Sequence, residues 1–295
     1  MNFRLDLKIP TFNPSFKFEQ ATFFKLVNCT ERGGGAKSLK SFTAVALEGF
    51  PLVKPGDNLA KIIVETAEKN RVEIEDGDVI VVAQKVVSKA EGRVVKIKNV
   101  KPSEKAVEIA RKTGKNPRFV ELVLRETRKI LKATPGTLLV EDIRGLVCIN
   151  AGIDKSNVEG LDEYTLLPEN PDASAEKCRM KIKSLTGKNV AVIICDTYSR
   201  PFRRGQVNFA IGVSGIKPLK DYRGKLDLFG YRLKVKNVAV VDEIAAAAEL
   251  LMGQAGEATP VVIFKGLQNV VEYCEKSSVK ELEITREEDL FSNIL

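Results

Sequence analysis

Val192 to Gly205 read VIICDTYSRPFRRG, an apolar run that stops at a carboxylate, a hydroxyl and then three guanidinium groups. Val190 to Cys195 have the length and β-branched content of a buried strand. Asp196 and Thr197 then stand at the expected strand tip, and Arg200, Arg203 and Arg204 follow. Oxygen ligands hold hard cations such as Mg²⁺, and arginine forks match phosphate oxygens. This order of side chains therefore suits a metal–phosphate substrate. A plain strand end followed by a solvated basic loop gives the same pattern, and from this stretch alone the two readings stand level.

Upstream, IRGLVCINAGIDKSNVEG (Ile143 to Gly160) repeats the design. An apolar strand, Leu146 to Ile149, breaks into residues that permit unusual backbone angles and the close approach of a ligand, and it presents Asp154. A polar turn is the bland alternative, but two carboxylate-bearing tips favour a shared oxygen-ligand site. Downstream, FAIGVSGIK (Phe209 to Lys217) is apolar and glycine-spaced. It reads either as a backbone that lets a ligand approach or as a tightly packed, bulged strand.

The remaining elements follow from periodicity and caps. A short strand begins after Ser41. Asp57 is expected to cap a helix from Asn58 to about Asn70, with Leu59, Ile62, Ile63 and Ala67 on one face. Val79 to Ala83 form a strand that runs into a polar stretch with Lys85, Ser88, Lys89 and Arg93. Lys89 offers a point charge for phosphate, although the G-x-x-x-x-G-K pattern is missing and a surface lysine is the plainer reading. Ser103 starts one helix, and Pro117 opens a longer one through Ala133 with Phe119, Val120, Val123, Leu124, Ile130 and Leu131 on its apolar face. Ser174 caps a helix ending at Gly187. Residues 230–241 read as a strand, Asp242 caps an alanine-rich helix, Pro260 to Phe264 form a strand, and the last thirty residues form a charged helical tail. Helices and strands interleave irregularly, so the fold class is α+β with mixed sheets.

The chain has 295 residues, 44% hydrophobic and 29% charged, with a net charge of +8. Residues 1–40 hold seven basic and three acidic side chains and a Gly33-Gly34-Gly35 joint, so they read as an appendage to the domain over residues 41–295, with a poorly ordered extension as the plainer reading and a partner- or substrate-binding arm as the alternative. Half of the excess charge, +4, falls in residues 1–40 and only +4 is left for the other 255, which weakens a nucleic-acid reading, while a basic balance still suits anionic substrates. No apolar run is long enough to span a bilayer, and no secretory signal is expected. Five scattered cysteines without a C-x-x-C pair fit reduced thiols in the cytoplasm. Histidine is absent, which removes histidine-based zinc sites, Ser-His-Asp triads and histidine bases together. Any metal is held mainly by oxygen, as Mg²⁺ or Mn²⁺.

Six blocks in order, EGFPLVKPGD, EDGDVIVV with VSKAEGR, CINAGIDKSNVE, DTYSRPFRRG, FAIGVSGIK and DEIAAAAELLMGQ, resemble the coenzyme F-420-0:L-glutamate ligase family, also called γ-glutamyl ligases. The resemblance spans about Leu47 to Gly266. It implies a GTP- and metal-dependent enzyme that adds L-glutamate to the carboxyl of a deazaflavin coenzyme precursor, then a second glutamate by a γ-linkage. Mg²⁺ or Mn²⁺ is implied, K⁺ is admitted, and an intertwined homodimer is expected. Asp154 and Asp196 resemble the metal-binding carboxylates, with Thr197 at a second metal and Gln254 approaching a metal. Glu48, Gly49, Phe50 and Pro51, then Gln84, Lys85, Lys89 and Asn157, fall where the family binds GTP. So does the segment Met252, Gly253, Gln254, Ala255, Gly256, Glu257, Ala258 and Thr259. The chemistry assigns Arg200, Arg203 and Arg204 to phosphate or substrate carboxylates, and Lys89 joins them as a catalytic cation. Ser199 and Asn170 stand where the family often has Gly and Asp, which bears on substrate fit. A ligase for a different carboxylate acceptor and a basic nucleotide- or RNA-binding protein are the competing readings.

Overall fold

The computed structural model describes residues 41–160, 162–285 and 287–289. The expected N-terminal extension, 1–40, lies outside the described residues.

In chain order the strands are β1 (Thr43–Ala46), β2 (Val79–Ala83), β3 (Val94–Lys96), β4 (Thr127–Thr134), β5 (Thr137–Asp142), β6 (Val147–Ile149), β7 (Glu163–Thr165), β8 (Ala191–Ser199), β9 (Gln206–Ser214), β10 (Leu219–Asp221), β11 (Asn237–Ala239) and β12 (Val261–Lys265). The helices are α1 (Leu59–Lys69), α2 (Gln84–Ala90), α3 (Glu104–Thr113), α4 (Pro117–Arg125), α5 (Pro171–Thr186) and α6 (Val240–Met252). The architecture is α+β with mixed sheets.

The main sheet has the order β1-β12-β2-β8-β9. Only β2 and β8 run parallel, with Val79 opposite Ala191 and Ala83 opposite Cys195. Both faces are covered at its centre, so β2, the Ala191–Cys195 part of β8 and the Val261–Phe264 part of β12 are continuous apolar runs rather than alternating. Ile80, Val82, Val192 and Ile194 pack under α1 and α5, around Ile63 and Ile182. Val79, Val81, Ala191 and Ile193 pack under α6, around Val241, Ile244 and Ala248. A second core holds α3 and α4 against β5, through Ile109, Val120, Val123, Leu138 and Val140. No described helix is long and apolar enough to cross a membrane.

Several expectations need correction. The helix opened by Pro117 ends at Arg125, and Thr127–Thr134 is a strand. Thr127, Ile130 and Thr134 are stiff at χ1, and Pro135-Gly136 forms the two-residue turn of a hairpin in which Thr134 faces Thr137. Val120 and Val123 are buried in their own lobe, so that helix face is not free for a second chain. Asn58, not Asp57, caps α1 by accepting from the Lys61 N–H, while Asp57 accepts from Lys54. Asn170, not Ser174, caps α5, and Pro171 fills its first turn. The polar stretch after β2 is helix α2. Residues 230–241 supply only the short β11, and Asp242 sits inside the first turn of α6, accepting from the Ala210 N–H. Among the described residues the charged tail forms one 3₁₀ turn, Val279–Leu282. Val279 and Leu282 of that turn pack against the core under α6.

The glycine-spaced run is the packed, bulged strand. Gly212 lies opposite Ile194, and a Cβ there would meet the Pro171 backbone at 2.4 Å. The missing side chain lets α5 start directly on the sheet.

Candidate active site

The sheet topology gathers distant segments at one edge. β12 is antiparallel to β1, so the end of β1 meets the start of β12, and the Leu47 N–H donates to Val261 O. The end of β2 lies there too, with the Ala83 N–H donating to Pro260 O. β8 passes beside it at Cys195. The loop after Leu47, helix α2 after Ala83, the part of β8 beyond Cys195 and the segment from Gly253 to Pro260 therefore lie at the same end of the sheet.

β8 continues through Ser199, so Asp196 and Thr197 are within the strand, not at its tip. They are held there by β9, with Asp196 opposite Phe209 and Thr197 opposite Asn208. Alternate side chains on a strand face opposite ways.

On one face, Asp196 lies with Asp154, Lys85 and Gln84. Burial pushes the Asp196 carboxyl up to about 6, and the Asp154 charge pushes the same way. The Thr197 backbone N–H, Lys85 and Gln84 pull against this shift. Lys85 Nζ donates to Asp154 Oδ2 at 2.7 Å and to Ser156 Oγ at 2.6 Å. Ser156 also closes onto Asp154 through its N–H at 2.8 Å and its hydroxyl at 2.7 Å. Burial works against the Asp154 charge, but Lys85 and Ser156 outweigh it and hold its pKa below the usual aspartate range. Lys89, one turn along α2, is pulled below the usual lysine range by burial and by Lys85, with Glu159 opposing. Gln84 is buried and accepts from Ser88 Oγ at 2.9 Å.

On the other face, Gln254 Nε2 donates to Thr197 Oγ1 at 3.1 Å and to Glu249 Oε1 at 2.7 Å. Thr197 Oγ1 donates to Asn208 Oδ1 at 3.0 Å, and Glu249 Oε2 accepts the Asn208 N–H at 2.9 Å. Glu249 and Asn208 are the residues that sequence reasoning missed. Glu249 sits on the alanine-rich helix five residues before Gln254, a spacing that carries no signal until α6 ends at Gly253 and the chain turns back.

The other expected residues divide. Glu48 is anchored by its backbone, which exchanges two hydrogen bonds with the Asn70 side chain. Gly49 and Pro51 are exposed beside it, but the Phe50 and Met252 side chains are buried on opposite faces of the main sheet. Gly253 has a positive φ, and a Cβ there would collide with Glu257, whose carboxylate accepts the Ala255 N–H at 2.7 Å. Gln254, Ala255, Gly256, Glu257 and Ala258 are exposed, and Thr259 ties the segment to α6 through Leu251 O. Asn157 is exposed with φ 54° in the loop after Asp154. Arg203 and Arg204 are exposed in the β8–β9 turn, and Arg200 is half-buried with its Nε unpartnered. None of the three forms an ion pair with a described residue.

Behind β8 lies a buried ionic lattice. Arg144 bonds Asp142 at 2.7 Å and Glu126 at 3.0 Å, and Arg93 bonds Glu126 at 2.8 Å. Cys148 lies beside Tyr198, with its thiol pushed up to about 12 by burial and by the Asp142 charge, so it stays protonated and unreactive. The four described cysteines are free thiols.

Among the described residues, no three His, Cys, Asp or Glu side chains gather as a finished metal cage. Two carboxylates with hydroxyl and amide oxygens nearby instead match a Mg²⁺-type ion, which uses one or two carboxylates and takes its other ligands from phosphates and water. Burial first, and the Asp154 charge to a lesser degree, disfavour the Asp196 carboxylate, and a cation would offset both. Two hollows of about 360 and 480 Å³ lie elsewhere, at the start of α5 and between α4 and β4, and hold none of these residues.

The family model described as F420-0:Gamma-glutamyl ligase matches residues 49–266. The chain is 49% identical over 251 residues to a coenzyme F420:L-glutamate ligase of Archaeoglobus fulgidus, covering 84% of this chain and 96% of that protein. It is 46% identical over 223 residues to one of Methanothermobacter thermautotrophicus, covering 75% and 88%. It is 44% identical over 260 residues to one of Methanocaldococcus jannaschii, covering 87% and 99%.

Proposed function

The chain belongs to the F420-0:gamma-glutamyl ligase family and is a ligase, and on that premise we propose that it joins L-glutamate to a deazaflavin coenzyme carboxylate at the expense of GTP. The observation that carries this reading is the convergence of Asp154, Lys85 and Asp196 at the sheet edge from which the Glu48 and Gln254 loops also leave.

A carboxylate resists attack by an amine. In the proposed scheme the acceptor carboxylate oxygen attacks the γ-phosphorus of GTP, and GDP departs. The glutamate nitrogen then forms a bond to the acyl carbon, and inorganic phosphate leaves. This sequence needs positioning and charge neutralisation rather than a side-chain nucleophile, which a chain without histidine and with buried, protonated Cys148 can provide. Lys85 and Lys89 face the phosphates from α2, with Lys89 keeping a charge that burial disfavours until an anion arrives. Arg200, Arg203 and Arg204 receive anionic groups from the hairpin turn. Asp154 and Asp196 would hold Mg²⁺ or Mn²⁺ on one face of β8, and Thr197 with Gln254 would serve a second ion on the other. When bound, the metal neutralises phosphate charge.

A homodimer completes the proposal. The excursion between β10 and β11 carries Leu228 and Phe229 almost wholly exposed, at 98% and 94%. A second copy of the chain is the partner that would cover them, and light scattering of Phe229→Asp should show a lower mass than the parent chain.

The deciding experiment incubates the chain with unglutamylated coenzyme, GTP, Mn²⁺ and L-glutamate, with other carboxylates offered in parallel. A mass gain of one or two glutamyl units on the deazaflavin supports the reading. Glutamylation of a different acceptor alone would replace it.

A further inference from the structure

Lys85 occupies an unusual position for a residue expected at phosphate. Its ammonium does not point into open solvent but is seated on Asp154 Oδ2 and Ser156 Oγ, and Ser156 in turn bonds the same carboxylate oxygen. The three groups form a closed triangle with sides of 2.7, 2.6 and 2.7 Å. The Lys85 side chain is 19% exposed and that of Asp154 is 44% exposed, so the carboxylate stays reachable while the ammonium is tucked in. Lys85 also acts on Asp196, the other carboxylate of the pair. One ammonium therefore stands as counter-ion to both carboxylates.

We propose that Lys85 is an exchangeable counter-ion, which neutralises Asp154 and Asp196 in the free chain and is released to the nucleotide phosphates when a divalent cation takes its place. The inference rests on the metal and nucleotide reading above and adds a coupling to it. An oxygen already accepting from an ammonium at 2.7 Å cannot also coordinate a cation at full strength, so Lys85 and the cation compete for Asp154. Once displaced, Lys85 stands one helical turn from Lys89, and the two ammonium charges repel. That repulsion raises the benefit of an anion between them. Metal alone must bear the cost of evicting Lys85, whereas metal together with a phosphate ester gives Lys85 a new partner. The two ligands therefore favour each other's binding through one side chain, a reciprocal coupling.

The test reads Mn²⁺ binding directly by electron paramagnetic resonance, without turnover, using Mn²⁺ alone and Mn²⁺ with GDP. Lys85→Met should tighten the binding of Mn²⁺ alone by roughly fivefold, the scale of one partly exposed ion pair. With GDP present the gain should vanish or reverse, because the phosphates lose a ligand. Lys89→Met removes the same charge nearby without touching Asp154 and should shift Mn²⁺ alone by less. Ser156→Ala removes one hydrogen-bond partner from Lys85 and one from Asp154 while leaving both charges in place. It should move Mn²⁺ alone in the same direction to a smaller extent, and it carries the test if Lys85→Met fails to fold. Unchanged or weaker binding of Mn²⁺ alone in both Lys85→Met and Ser156→Ala overturns the exchange. Equal tightening in Lys85→Met and Lys89→Met also overturns it, since a general field would then suffice. If the parent chain binds no Mn²⁺ with GDP present, the metal reading itself fails, and the exchange falls with it.

Discussion

Asp196 and Thr197 are adjacent in sequence but serve opposite faces of β8: Asp196 lies with Lys85 and Asp154, while Thr197 bonds Asn208 and Gln254. A single strand thus carries two polar clusters with a sheet between them, each supported by different helices. Changes made on either side should separate in their effects.

Asp196→Asn should abolish glutamylation while leaving the fold intact. The folded-state pKa of Asp196, about 6, is above its ordinary value of 3.8. Between those values the folded chain retains a proton that the unfolded chain has released, so stability from this group is full below the ordinary value and is lost as pH rises through 6. The asparagine of the variant does not titrate. Thermal melts in EDTA should show the variant's advantage over the parent growing from about pH 4 to about pH 7. A pH-independent difference would contradict the placement of a buried carboxyl here.

Glu249→Ala tests the opposite cluster. It leaves the Asn208 N–H unpaired and removes one of the two partners of the Gln254 amide, with an expected loss of about 1–3 kcal/mol in urea denaturation. Glu249→Gln keeps an acceptor for Asn208 and should recover part of that loss.

Arg144→Met should be among the most damaging substitutions away from the candidate site. Asp142 is fully buried and Glu126 nearly so, and both lose a charged partner. Breaking such a pair costs about 3–5 kcal/mol. Denaturant midpoints compared with those of Arg128→Met, an exposed pair to Glu141, should differ several-fold in effect.

Gly212→Ala forces a methyl group against the Pro171 backbone, which cannot swing aside as a side chain would. Overpacking of this kind costs about 1–3 kcal/mol. A lower melting temperature is expected, and an unchanged one would mean that α5 can lift from the sheet at little cost.

The buried strands and the starts of α3 and α4 are legible in the sequence because their signals are local. Val79–Ala83 was readable to the residue from an apolar run between turn formers. The carboxylates were readable because an apolar run ending in a charge is conspicuous. The strand beginning at Thr127 was not, since Ile130 and Leu131 extend the apolar period of α4 and only the pairing with Thr137–Asp142 decides between helix and strand. The strand character of Asp196 to Ser199 was hidden for the same reason: polar residues hold extended geometry there because β9 pairs with them. Glu249 gave no sign, because its partners come from two other segments. Phe50 and Met252 illustrate the reverse limit, conspicuous side chains of expected site segments that serve the core.

The position of β12 has a consequence for how the protein is made. This strand lies between β1 and β2, yet it is the last described strand to leave the ribosome. A nascent chain extruded as far as Thr259 already contains every polar side chain of the two clusters. It still cannot join β1 to the rest of the sheet, and both β1 and the open side of β2 expose unpaired edges until Val261–Lys265 arrive. Synthesis therefore leaves an interval in which the side chains of both clusters are present and their scaffold is not, and it closes when Val261–Lys265 emerge.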